Sequence, residues 1–159
     1  MTLNINELVR GGTICLSKVG LAEGNADHGF SILEASGAGY ITYAINGIMY
    51  VLADAVNVAP TACAEQALGT TCLYLVTLTA GGTLDTIKGV EVDNDELAAG
   101  NAVLHWPTPA VDTCPIGAVK VAAGTTAFTV GVDDLTDDIG TGTVTYYDLL
   151  AIPAAPLTS

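Results

Sequence analysis

The sequence predicts a mainly β protein, an antiparallel β-sandwich or jelly-roll-like barrel with one short helix. From residue 72 to residue 150, short runs of apolar residues and threonine alternate with turns rich in Gly, Asp and Thr. Asn46-Gly47 stands between two apolar runs, which is a strong local signal for a β-hairpin. Strands and helices do not alternate regularly, so a doubly wound fold is not expected.

The N-terminal part is predicted to be an arm, residues 1–12, followed by a first strand. Residues 4–10 allow a helical turn, which is too short to be stable alone. The arm is therefore expected to dock or to reach a neighbouring molecule. A strand is predicted at 13–19, and the polar, glycine-containing segment 20–29 is predicted to be a loop.

A hairpin is predicted at residues 41–52, because Asn46-Gly47 tolerates positive φ at both central positions of a type I′ turn. The single helix is predicted at 59–69. Pro60 stands near its start, its interior is rich in Ala, and Gly69 would end it.

The remaining strands are predicted to complete the sheets. The run 72–79 is apolar on both faces in its first half, which predicts a central position. Segment 91–115 is interpreted as a long surface connection with one short strand. The β domain is predicted to span 13–151, and the uncharged, proline-containing residues 152–159 are predicted to form an extended tail. The other strands are predicted at 84–92, 103–106, 116–122, 127–132 and 143–150.

Charge is sparse and strongly negative. Charged residues make up 13% of the chain, about half of the roughly 25% found in typical globular proteins. Seventeen acidic and four basic residues give a formal net charge of −13. Nucleic-acid or anionic-membrane binding is not expected, because the basic residues are scattered along the chain. These residues are Arg10, Lys18, Lys88 and Lys120.

The N-terminal residues and the cysteines indicate the cellular compartment and the oxidation state of the thiols. No cationic region followed by an apolar core opens the chain, so export by a signal peptide is not expected. The uncharged stretch 66–84, which no other uncharged stretch exceeds in length, is broken by Gly and Thr, which predicts a soluble protein. The four cysteines show no metal-site or redox spacing and are expected to be buried, reduced thiols. Disulfide bonds are the alternative if the protein ends up in an oxidising extracellular environment. They are Cys15, Cys63, Cys72 and Cys114.

No catalytic residue, cofactor site or metal ligand is predicted, and the chain is not expected to be an enzyme. His28 and His105 stand far apart, with only Asp27 beside the first. No serine lies in a G-x-S-x-G elbow, and G-T-G-T at 140–143 lacks the Lys of a P-loop. Two acidic clusters lack EF-hand spacing and are interpreted as solvated, turn-forming groups. They are Asp93, Asp95 and Glu96, and Asp133, Asp134, Asp137 and Asp138.

A set of strand-and-turn phrases runs through residues 40–150. They are Y-I-T-Y-A-I-N-G, an Ala-rich segment, T-T-C-L-Y-L-V-T-L, A-G-G-T-L-D-T-I-K-G-V-E-V, C-P-I-G-A-V-K-V and T-T-A-F-T-V-G-V-D-D-L. In this order they resemble structural proteins of tailed bacteriophage particles, of the kind encoded near the major capsid protein. The resemblance transfers no functional residues.

The resemblance implies a virion component, best described as a head decoration (cement) subunit. Such a subunit would be made in the bacterial host cytoplasm and would lie on the capsid exterior. Its partners would be the major capsid protein and copies of itself, and it would stabilise the head by burying surface across capsid-subunit joints. A head or tail fibre component is the alternative within this class.

Two other classes remain open from the residues alone. A carbohydrate-binding β module would use Trp106, Tyr146 and Tyr147 as an aromatic face, although packing is the commoner role of such side chains. A secreted hydrolase would hold His28 or His105 against an acid in a cleft.

Overall fold

The computed structural model describes residues 12–25, 28–135 and 139–157. Within these ranges the chain forms eleven strands and one short helix, and every strand pairing is antiparallel. The prediction of a mainly β sandwich with one short helix is confirmed, and the described strands close no barrel. Apart from Gly12, the predicted N-terminal arm lies outside the described residues.

In chain order the strands are β1 (Ile14–Cys15), β2 (Leu21–Glu23), β3 (Phe30–Ile32), β4 (Tyr40–Ile45), β5 (Ile48–Ala53), β6 (Ala55–Val58), β7 (Thr70–Thr79), β8 (Leu84–Lys88), β9 (Val92–Asp93), β10 (Thr113–Ala122) and β11 (Thr143–Asp148). The helix, α1 (Asn94–Ala98), follows β9. Two three-stranded sheets have the orders β1-β4-β5 and β2-β3-β6. The large sheet has the order β11-β10-β7-β8, with β9 also paired to β7.

β7 and β10 form the centre of the large sheet. Their register runs from Thr79 opposite Thr113 to Thr71 opposite Ala122. β8 flanks β7 and β11 flanks β10. β7 is buried from Thr71 to Leu78, which confirms the central position predicted from its apolar faces.

A bulge explains how a proline fits into β10. The register shifts between Pro115 and Gly117. β11 pairs only with the part of β10 from Gly117 onward, so no neighbour on that side requires an N–H from Pro115. Gly117 also allows a close approach, because a Cβ there would lie 2.8 Å from Leu21 Cδ2 and 2.8 Å from the Tyr147 carbonyl oxygen.

The large sheet is covered on both faces. One face packs against the two smaller sheets in the principal core, to which Tyr74 and Val76 contribute from β7 and Phe30 and Ile41 from the small sheets. The opposite face, including Leu73, packs against α1, the segment around residue 104 and the C-terminal segment. Burying one such large apolar side chain contributes about 1.5–3 kcal/mol, so the two smaller sheets are held mainly by this core.

The predicted hairpin is confirmed. Ile45 lies opposite Ile48 across the turn, and Asn46 and Gly47 have φ values of 51° and 81°. These positive values are what a type I′ turn requires. Tyr43 stacks on Tyr50 with ring centroids 5.6 Å apart, and its hydroxyl donates a 2.8 Å hydrogen bond to the Thr79 carbonyl at the end of β7.

The prediction of a helix at 59–69 is wrong. This segment contains no helix: Gln66 forms an antiparallel bridge with Phe128, and residues 68–69 form a turn. The Gln66 side chain is fully buried and donates to the carbonyl oxygens of Thr70 at 2.8 Å and Val121 at 3.0 Å. A short Ala-rich helix is marginal by itself, so these tertiary hydrogen bonds decide the conformation.

The helix instead occupies Asn94–Ala98, inside the segment interpreted as a surface connection. Asp93 caps it, because its carboxylate accepts hydrogen bonds from the backbone N–H groups of Asp95 and Glu96. No helix in the described part of the chain is long and apolar enough to span a membrane.

Several strand boundaries differ from the predictions. The segment predicted to be a loop at 20–29 contains β2, and β3 and β6 were not predicted. The strand predicted at 13–19 is reduced to the two residues of β1. The strands predicted at 103–106 and 127–132 are reduced to single bridges at Leu104 and Phe128. Such short elements are stabilised by partners distant in sequence, so local patterns define them poorly.

The strand predicted at 84–92 is broken between β8 and β9. Lys88 Nζ lies 2.5 Å from Glu91 Oε1 across the break. Burial tends to raise the pKa of Glu91, but hydrogen bonds from Lys88 and from the Ala67 N–H hold that pKa below its usual value. Glu91 therefore stays ionised. Its carboxylate accepts a 3.0 Å hydrogen bond from the Ala67 N–H and so links the break between β8 and β9 to the end of segment 59–69.

We expect Gln66→Leu to lower the free energy of unfolding by about 2–4 kcal/mol. The substitution leaves two buried carbonyl groups and the Tyr74 hydroxyl without their amide partner. Chemical denaturation followed by circular dichroism measures the change. Glu65→Leu, at an exposed neighbouring position, is the control and should change stability by less than about 0.5 kcal/mol. Equal effects of the two substitutions would contradict this role of Gln66.

Candidate functional site

The β1-β4-β5 sheet has one face directed away from the principal core, which we call the outer face. Cross-strand pairing places Ile14, Ala44 and Met49 in one row. Thr42 and Val51 form the next row, beside Leu16, whose N–H donates to the Thr42 carbonyl at 2.9 Å. The outer face consists of Ile14, Leu16, Tyr40, Thr42, Ala44, Met49, Val51 and Ala53.

The outer face carries no charged residue, and most of its side chains are apolar and exposed, although Thr42 is polar and Ala44 is buried. Met49 and Val51 are each 64% exposed, Leu16 is 51% exposed and Tyr40 is 48% exposed. Residues 35–53 contain no Asp, Glu, Lys or Arg. Contiguous apolar patches of this kind on a folded protein often mark a surface that binds another protein.

The edge of β5 adds hydrogen-bonding groups to this surface. Among the described strands, β5 pairs only with β4. Ile45 and Ile48 close the type I′ turn as a hydrogen-bonded pair, and such pairs alternate along an antiparallel ladder. Met49 and Val51 therefore direct their backbone N–H and C=O groups away from β4. A free, apolar edge strand is a position at which another chain can pair.

A second surface feature lies on the opposite side of the large sheet, where the C-terminal segment 152–157 folds back onto the domain. The Trp106 indole Nε1–H donates a 2.8 Å hydrogen bond to the Ala155 carbonyl. Leu157 exchanges two backbone hydrogen bonds with Leu104, of 2.8 and 3.0 Å. The described part of the predicted tail therefore covers the small core cluster around Leu73.

The three aromatic residues considered for sugar binding all line one open groove, but their rings do not form one shared platform. Trp106 and Tyr147 meet edge to face, with ring centroids 6.3 Å apart, beside an open groove of about 650 Å³. Tyr146, the neighbouring residue on β11, packs against the principal core instead. Its hydroxyl is buried without a hydrogen-bond partner among the described residues, and burial raises the pKa of Tyr146 above the usual value.

The two histidines occupy different parts of the fold. His28 lies between β2 and β3 with a φ of 68°, and its Nδ1 is buried without a partner among the residues the structure describes. His105 is exposed between α1 and β10, beside Trp106. Asp27 lies outside the described residues. Within the described ranges, no three His, Cys, Asp or Glu side chains come together as a metal site.

The acidic clusters include side chains that shape the backbone. Asp93 caps α1. The Asp133 carboxylate accepts a 2.6 Å hydrogen bond from the Thr129 N–H and closes the turn after Phe128. Asp137 and Asp138 lie outside the described residues. Asp93 and Asp133 thus have the cap and turn roles that short acidic side chains often adopt.

All four cysteines are free thiols in this structure. Cys15, Cys72 and Cys114 are buried, whereas Cys63 is half-buried. Burial raises the pKa of Cys72 and of Cys114 to about 12 and also raises the pKa of Cys15. The three buried thiols therefore stay neutral at physiological pH and are poor nucleophiles.

Sequence reasoning located the hairpin but did not predict the outer face as a site. The sequence did contain an indication of this face, because β4 and β5 carry apolar residues at both odd and even positions, and therefore on both sides of the sheet. An antiparallel strand with one solvated face usually alternates apolar and polar residues. The charge-free run 35–53 therefore indicates either a buried sheet or an apolar exposed face, and only the three-dimensional arrangement distinguishes the two.

No protein family, curated protein or solved structure matches this chain. The assignment of the outer face as the candidate site therefore depends on its own residues and geometry.

We expect a thiol reagent at pH 8 to label Cys63 first in the native protein. Cys15, Cys72 and Cys114 are protected by burial and by their raised pKa values, so they should react only after unfolding. Peptide mass spectrometry after a short pulse of iodoacetamide identifies the labelled sites. Cys63→Ser should abolish the early labelling. Equally fast labelling of Cys114 would contradict the buried arrangement.

We expect deletion of residues 152–159 to destabilise the domain by about 2–4 kcal/mol, because it uncovers Trp106 and Leu104. Trp106 is the single tryptophan, so its fluorescence emission should shift to longer wavelength as water reaches the ring. Deletion of residues 158 and 159 alone leaves Leu157 in place and serves as the control. Unchanged emission after the longer deletion would contradict the docking of this segment.

Proposed function

We propose that this chain is a virion structural protein, a capsid decoration (cement) subunit that stabilises a phage head. The observation that carries the proposal is the outer face, an exposed apolar surface without charge on an otherwise acidic molecule. Such a surface suits a protein that acts by burying area against other subunits. The resemblance of residues 40–150 to phage structural proteins supplies the kind of particle.

A subunit of this kind works through binding linkage. If it binds the assembled shell and not the separated capsid subunits, its binding free energy adds to the stability of the shell. At a free concentration one hundred times the Kd, each occupied site contributes about 2.7 kcal/mol. Many equivalent sites on one shell multiply this contribution, so a modest affinity per site is enough.

The charge distribution supports a position on the exterior of the head. A net charge of −13 opposes contact with packaged DNA, whose phosphates carry the same sign. The same charge keeps a protein with an apolar face soluble through mutual repulsion. We propose the major capsid protein and further copies of this chain as its partners.

The alternatives are less well supported by the geometry. Trp106 already uses its indole N–H within the chain, and Tyr146 packs against the principal core, so a three-residue sugar platform is not assembled. His28 and His105 lie in different connections of the fold. A head or tail fibre role would use the same apolar face, and no separate feature favours it.

The proposal expects a major capsid protein gene beside the gene for this chain, and the test uses empty shells assembled from that protein. We expect the purified chain to co-sediment with these shells at saturable stoichiometry and to raise their melting temperature in calorimetry. Shells of an unrelated phage are the matched control and should bind no protein. The proposal fails if the chain does not bind its own shells, or if it binds both kinds of shell equally.

A further inference from the structure

We infer that the outer face binds the outer face of a second copy of this chain, giving a two-fold symmetric dimer. This inference rests on the proposal that the outer face is a protein interface, but it requires no phage particle. The occupant is identified by three properties of the face: its area, its lack of charge and its arrangement in rows.

The exposed area reaches the lower limit for a specific dimer interface. Five large apolar side chains on the outer face are 37–64% exposed: Ile14, Leu16, Tyr40, Met49 and Val51. Each leaves on the order of 100 Å² accessible, so a symmetric pair buries about 1,000 Å² in total. That total equals the roughly 1,000 Å² expected as the minimum for a specific interface. It is larger than the area buried in most crystal-packing contacts.

The charge distribution favours a second copy over a partner of opposite charge. A basic partner would be recognised through carboxylates, and the outer face contains none. Two identical chains of net charge −13 repel each other, so they associate most readily through a face that places no carboxylate against another. Among the described residues, two carboxylates mark the margins of the sheet. Asp112 accepts a 2.6 Å hydrogen bond from Asn46 Nδ2 at the turn, and Asp54 follows the last residue of β5.

The arrangement of the face suits self-association. Leu16, Thr42 and Val51 form its middle row, between the row of Ile14, Ala44 and Met49 and the row of Tyr40 and Ala53. Sheets that pack face to face lie about 10 Å apart with their strands nearly aligned. A two-fold axis that lies parallel to the sheets and midway between the two middle rows places the outer rows of one copy opposite the outer rows of the other. Such an interface is isologous, because both copies use the same surface.

The oligomeric state of the isolated protein tests the inference. We expect sedimentation velocity to detect a dimer for the natural sequence, with a dimer fraction that rises with concentration. Val51→Lys places a charge in the middle row and should raise the dimer Kd at least tenfold. Val90→Lys makes the same chemical change at a 73% exposed position between β8 and β9, off the outer face, and should leave the Kd unchanged.

Met49→Lys provides a second disruption on the same face, and circular dichroism verifies that each variant is folded. We also expect added salt to strengthen the dimer, because screening weakens the repulsion between the two acidic chains. A natural chain that is monomeric at every concentration overturns the inference. So does a dimer that survives both Val51→Lys and Met49→Lys, or one that Val90→Lys disrupts equally.

The shell-binding experiment separates this inference from the proposed function. A monomeric chain that binds its own shells overturns the dimer and leaves the decoration role supported, with capsid protein as the occupant of the outer face. A dimer that is lost in Val51→Lys but ignores every shell supports the dimer and overturns the decoration role.

Discussion

β7 and β10 are paired antiparallel along almost their whole length, and nearly all of their paired residues are buried, with Thr79, Lys120 and Ala122 half-buried. Every other layer of the molecule packs against one of their two faces. The small sheets cover one face, while α1, Trp106 and the C-terminal segment cover the other. Because both strands lack a solvated face, removing either cover would expose apolar surface to water. The buried amide of Gln66 bonds to both strands at one end of this pairing.

The outer face arises from the way in which β4 contributes to the core. Ile41, Tyr43 and Ile45 point inward and are buried. Strand alternation then directs the side chains between them outward. In most solvated sheets the outward positions are polar. Here the neighbouring outward positions on β5 are occupied by the apolar residues Met49 and Val51. The chain thus keeps an uncharged apolar surface although its overall charge is strongly negative, and this contrast is the basis of both proposals.

Sequence patterns predicted the elements whose signals are local. The hairpin at Asn46-Gly47 has a turn that few other sequences satisfy, and the strand at 72–79 is apolar on both faces, so both predictions are confirmed. The helix at 59–69 was wrongly predicted, because an Ala-rich run with a proline at its start resembles a helix locally. Its conformation depends on hydrogen bonds that Gln66 accepts from Tyr74 of β7 and donates to Val121 of β10, a strand distant in the chain. The outer face was missed for a related reason. Apolar residues in a strand do not show from sequence alone which of them are buried by other parts of the fold.

The sequence by itself determined the fold class, the turn of the hairpin and the strongly acidic charge. These properties depend on residue type and on neighbours a few positions away. Only the tertiary structure decided that 59–69 is not helical, that Trp106 holds the C-terminal segment, and that Met49 and Val51 stay exposed. The physical reason is that burial and long-range hydrogen bonding are properties of the assembled layers, and loop closure brings their partners together from positions far apart in the chain.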